Sequence, residues 1–187
     1  MTQADDYYIE HTKNWIRSFI IELNICPFAK REVEGNTLKM QVSKAIKIEQ
    51  ALEELIFEMT LLDTQPAIET TILIFPFQFK DFYDYLDFVD LADLLLFEQG
   101  FEGVYQLATF HPDYCFAEVN EDATSNYTNR SPYPMIHILR EASVEKAISF
   151  YGDTDKIPEA NIKTMHELGL EKIKAILAGC LPKGFNT

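Results

Sequence analysis

The chain has 187 residues, with 16 Lys and Arg against 30 Asp and Glu, for a formal net charge of −14. That length fits one domain, residues 1–187, whose core needs no disulfide or metal, and a 47% hydrophobic composition excludes a disordered or fibrous chain. An acidic surface repels phosphate, which excludes general nucleic-acid binding and disfavours anionic membranes; a small anionic ligand held by local arginines stays open.

The first element is a helix over 6–24, in which Trp15, Ile16, Phe19, Ile20 and Leu23 recur on one face. It ends before Cys26, because Pro27 biases the residue ahead of it towards extended backbone. Leu38, Met40 and Val42 alternate with polar residues as a half-buried strand. Ile48, Leu52, Leu55, Met59 and Leu62 trace a second helix. Thr70 to Phe75 is a continuous apolar, β-branched run that reads as a strand buried on both faces and central in its sheet. A third helix covers 79–99 and stops at Gly100; strands follow over Val104 to Phe110 and over 134–139. In the last of these, Met135, His137 and Leu139 face one way and Ile136 and Ile138 the other. Helices over 143–151, 158–168 and 170–178 finish the chain.

This order predicts an α/β fold, with α+β as the alternative: a mixed four-stranded sheet covered by helices. The early β-α-β-α-β run favours parallel strands, and the last strand can run either way. Between strands three and four lies a long ordered loop, His111 to Tyr133. Loops of that length in a compact domain are usually functional or disordered, and Tyr114, Phe116, Tyr127 and Tyr133 make this one too aromatic for disorder.

No apolar stretch approaches the roughly 20 residues of a membrane span. Met1 to Glu10 carries Asp5, Asp6 and Glu10 and no basic region, so no signal peptide is expected there. Cys26, Cys115 and Cys180 then read as reduced thiols of a cytoplasmic protein. Phosphate-loop, dinucleotide, Cys-x-x-Cys, His-Glu-x-x-His and Gly-x-Ser-x-Gly patterns are all lacking.

Three stretches hold the residues that core formation explains poorly. They are Leu23-Asn24-Ile25-Cys26-Pro27-Phe28-Ala29; Thr109-Phe110-His111-Pro112-Asp113-Tyr114 with Phe116-Ala117; and Asn126-Tyr127-Thr128-Asn129-Arg130-Ser131-Pro132-Tyr133-Pro134, continuing to His137 and Leu139-Arg140-Glu141. In this order they resemble the bacterial domain-of-unknown-function 1415 family across nearly the whole chain. The resemblance implies a single-domain bacterial protein and supplies no activity.

Three functions compete for these residues. In the first, the motifs converge on one pocket of a small-molecule hydrolase or group transferase. Cys26 is the nucleophile, His111 or His137 the base and Asn129 an orienter. Asp113, Tyr114, Asn126, Arg130, Ser131 and Arg140 bind the ligand, with the Arg130 fork on its anionic group. Replacing His111 or Arg130 with Ala then costs function more than stability. Against it, Cys26 sits past a helix C-terminus, where the dipole opposes a thiolate. In the second, His111 and His137 join Cys26, Asp113 or Glu141 around zinc or iron. In the third, the aromatic loop and Arg130 form the recognition surface of a non-catalytic ligand- or protein-binding module. His137 also fits a satisfied core histidine, Arg140 an ion pair with Glu141, and His11 and His166 the surfaces of helices. Oligomeric state is open.

Overall fold

The computed structural model describes residues 3–151 and 154–183. Its centre is a four-stranded sheet in the order β1-β2-β4-β3, built from β1 (Leu38–Val42), β2 (Thr70–Ile74), β3 (Tyr105–Phe110) and β4 (Met135–Arg140). β1 and β2 are parallel, and β4 is antiparallel to both its neighbours. The expected mixed sheet is therefore present, with the Thr70 run interior and every β2 residue buried. The helical crossover from β2 brings β3 back parallel in direction but one place away. The long loop then returns β4 into the gap between them.

The two sheet faces bury different cores. One takes Leu73, Phe75, Ile136 and Ile138 against α3 (Ile48–Thr64) and α4 (Phe82–Glu98). The other takes Ile72, Ile74 and Met135 against α1 (Gln3–Trp15), its continuation and the C-terminal helices. Arg140 ties β4 to the end of α3: its guanidinium donates to the Leu62 and Ile68 carbonyls at 2.6 and 3.2 Å. It thereby satisfies a carbonyl of the last helical turn, where the dipole also favours a cation. These carbonyls take the place of the Glu141 pair, and the fork expected to hold a ligand is engaged inside the fold.

Two helical expectations need correction. The first helix begins at Gln3 and changes over Ile16–Ile21 to a π-helix, which ends before the left-handed Asn24 (φ 53°). The wider turn lets the adjacent pairs Trp15–Ile16 and Phe19–Ile20 all be buried, which a regular α-helix does less readily. A short helix that the periodicity did not show, α2 (Ala29–Glu34), follows Cys26. Six residues are too few to display an apolar stripe. The chain closes with α5 (Glu141–Tyr151), α6 (Ile157–Leu168) and α7 (Leu170–Gly179). Among the described residues, no helix is long and apolar enough to cross a membrane.

Candidate functional site

The second and third motifs meet where β3 ends and β4 begins. His111 and Arg130 form an isolated parallel bridge: the His111 N–H donates to the Asn129 carbonyl and the Ser131 N–H to the His111 carbonyl, both at 3.3 Å. Side chains reinforce this. Asn129 Nδ2 donates to the Thr109 carbonyl at 3.1 Å, and its Oδ1 accepts from the Thr128 hydroxyl. Arg130 donates from Nε to the Tyr114 carbonyl at 3.1 Å and from Nη2 to the Glu121 carbonyl at 2.9 Å, while its plane lies 4.5 Å from the Tyr127 ring. The fork expected to grip an anion therefore binds main-chain oxygens of its own loop.

Asn126 is fully buried and uses both ends of its amide. Oδ1 accepts from the Phe116 N–H at 3.1 Å, and Nδ2 donates to the Asn120 and Glu121 carbonyls at 2.8 and 3.2 Å. Ser131 donates to the Tyr133 carbonyl at 2.6 Å. The Tyr114 ring packs on Phe82 and Phe116. Asp113 is exposed and contributes its backbone N–H rather than its carboxylate.

The two motif histidines lie on opposite faces of the sheet. His111 packs 5.2 Å from both the Phe82 and Tyr85 rings of α4. Its Nδ1 accepts from the Asp113 N–H at 3.0 Å, so Nε2 carries the proton and donates to the Phe79 carbonyl at 2.8 Å. Phe79 is left-handed (φ 58°), a conformation that costs an ordinary residue about 1–2 kcal/mol, and His111 helps hold it. Burial lowers the His111 pKa, opposed in part by the Phe79 hydrogen bond and by Asp113 and Asp81.

His137 pairs across the sheet with Ile72 and Ala108 and so faces the α1 side. The Thr70 hydroxyl donates to the Ile138 carbonyl at 2.6 Å, so it must accept from His137 Nε2 at 2.7 Å. Burial pushes this imidazole down to about 4. A pocket shared by His111 and His137 is therefore not formed, because the alternation of β4 and the end of β3 send the rings to different layers. Among the described residues, no three His, Cys, Asp or Glu side chains come together as a metal site.

Cys26 belongs to the α1 side of the sheet. It does follow a helical segment, but it also precedes α2, and the N–H groups of Phe28 and Ala29 point at its thiol. They favour the thiolate; burial, the larger effect, raises the thiol above its ordinary value. α6 connects this motif to the third: Asn161 Nδ2 donates to the Ile25 carbonyl at 2.9 Å, and the same helix packs against Thr124–Thr128.

A further cluster surrounds His11, which the sequence places on a helix surface. His11 is buried, and its Nδ1 lies 2.8 Å from the Tyr133 hydroxyl, beside Tyr7 and Tyr8. Burial lowers the His11 pKa. The Tyr133 hydroxyl is raised, by burial first and then by the Tyr7 and Tyr8 hydroxyls. Phe77 closes the group against Tyr8, with the Lys44 ammonium 5.4 Å over its ring and paired with Asp5. These residues lie at the carboxyl ends of β1 and β2, where open α/β sheets bind ligands. The four-residue spacing of Tyr7 and His11 was the available signal.

Two open depressions, of about 400 and 270 Å³, lie on the α3–α4 side and hold no residue of the three motifs. No match is found among curated proteins or among solved structures. The model of a family of proteins of unknown function does match, over residues 7–175 and in agreement with the three motifs: the chain belongs to the DUF1415 family.

Proposed function

We propose that this protein is a non-catalytic binding module in which the three motifs build a rigid platform. One observation carries this reading: the polar side chains that resembled catalytic machinery, Asn126, Asn129, Arg130, Ser131, His111 and His137, have hydrogen-bond partners within the chain. A catalytic group needs a face turned to substrate, and these groups are held by backbone or by the Thr70 and Thr128 hydroxyls. The free thiols fit a reducing, cytoplasmic setting.

The thiol separates this reading from a cysteine enzyme. Alkylation of Cys26 by iodoacetamide at neutral pH is expected to be slower than that of an unstructured cysteine, with its rate still rising above pH 9. The Cys26→Ser variant identifies the labelled site. Rapid labelling at pH 7 that saturates below pH 8 would show an activated thiolate and sink the binding-module reading.

The 2.8 Å approach of His11 to Tyr133 favours a second reading, a small-molecule enzyme using that pair for proton transfer at the sheet's carboxyl edge. An activity that survives Cys26→Ser and is lost in Tyr133→Phe would belong to it.

A further inference from the structure

The outer face of α4 is an exposed apolar surface that neither the core nor the motif platform explains. Its inner face buries Tyr85, Phe88, Ala92 and Leu96. On the opposite side Tyr83, Leu86, Leu94 and Phe97 are exposed, Tyr83 at 73%, Leu94 at 53% and Phe97 at 61%. At about 100° per residue these four fall within an arc of about 80°, and Asp90 lies in the middle of it. A surface helix needs one apolar stripe to dock on its sheet, and α4 has two.

The charges around the second stripe are all of one sign. Asp87 flanks it on one side and Asp93 on the other, Asp84 and Glu98 lie nearby, and no Lys or Arg occurs between Phe82 and Glu98. Asp93 is raised by desolvation and by the like charge of Asp90, so this surface carries carboxylates that repel one another. A second copy docked here would set aspartate against aspartate. An anionic bilayer would be repelled in the same way.

We propose that the outer face of α4 binds a cationic amphipathic helix of a partner protein. Its apolar residues would cover Tyr83, Leu86, Leu94 and Phe97, and its Lys or Arg residues would flank them and meet Asp87, Asp90 and Asp93. Residues 83–97 span roughly 21 Å at 1.5 Å per residue, so the matching partner helix has about four turns. This inference rests on the binding-module reading and names the partner class. The Cys26 labelling tests that reading separately, without reference to α4.

The test uses the full chain, labelled with ¹⁵N, and an 18-residue amphipathic Leu/Lys helical peptide as the probe. Two control peptides accompany it: one with Glu in place of Lys, and one with the same composition but its apolar residues scrambled. Shift changes centred on residues 83–97, with at least tenfold weaker binding of both controls, are expected. Leu94→Ala with Phe97→Ala should weaken the Leu/Lys peptide tenfold or more, as should Asp90→Asn with Asp93→Asn. Both pairs are exposed, so unchanged melting curves confirm that the variants fold. Equal binding of the scrambled peptide, shifts spread over the acidic surface, or no effect of the Leu94/Phe97 pair would overturn the proposal. So would sedimentation showing that this face instead joins two copies of the chain.

Discussion

Replacing His111 with Ala is expected to lower the unfolding free energy by about 3–5 kcal/mol, a loss that belongs to structure rather than to catalysis. The ring is fully buried between α4 and the end of β3, so its removal leaves a cavity beside Phe82 and Tyr85. The Phe79 carbonyl and the Asp113 N–H lose their imidazole partner at the same time. The left-handed Phe79 also loses part of what holds it, although its ring remains stacked 4.3 Å from Phe88. Urea denaturation measures the effect, which for a chain of this size corresponds to a melting temperature lower by roughly 10 °C. Residue type alone points the other way, to a function-specific loss; a change below about 1 kcal/mol would restore that expectation.

Asn126→Ala should cost about 2–4 kcal/mol and loosen the long loop in particular. One amide joins positions 116, 120 and 121 through three main-chain hydrogen bonds. Without it the half-buried Phe116 N–H and the Asn120 carbonyl lose their partner, the Glu121 carbonyl keeps only Arg130, and the segment between the second and third motifs is held mainly by that arginine. Asn126→Asp keeps the acceptor, removes both donors and sets a charge against two carbonyls, so it should be no milder than Ala. Hydrogen exchange and limited proteolysis over residues 112–123 report the local part, and denaturation reports the total. Unchanged protection in that segment would mean that the loop is ordered by something other than Asn126.

These two residues also show how far the sequence could be read. The buried strand at Thr70 and the alternation of Met135 to Leu139 were legible because burial on one or two faces writes its period directly into residue type. The position of β4 between β2 and β3 was not, since a long loop allows either direction and either neighbour. His111, Asn126 and Arg130 stand out in the sequence as residues that core formation explains poorly, yet His111 and Asn126 are fully buried. A sequence shows that a side chain can donate or accept, but not which partner it meets. Here the partners are backbone groups of the same loop and of Phe79, brought close only by folding. His11 shows the opposite case: its place on a helix reads as solvated, yet Tyr133, 122 residues away, covers it. The sequence of α4 does not separate an outer apolar stripe from the inner one; the burial of Tyr85 and Phe88 shows that Tyr83 and Phe97 are left over.

The central claim is that the motif histidines are neutral structural hydrogen-bonders, and their proton positions test it most directly. Burial lowers both pKa values, so folding favours the neutral imidazole. The stabilising contribution is then complete above the ordinary value of 6.5 and declines as pH falls below it, for His137 until about 4. Long-range ¹H–¹⁵N spectra of the imidazoles, recorded across that interval, read tautomer and titration together. The structure predicts that His111 and His137 both carry their proton on Nε2 and titrate below 6.5, His137 near 4. Either ring protonated on Nδ1 when neutral, or titrating above 6.5 as expected of an imidazolium held by a thiolate or carboxylate, would contradict the account.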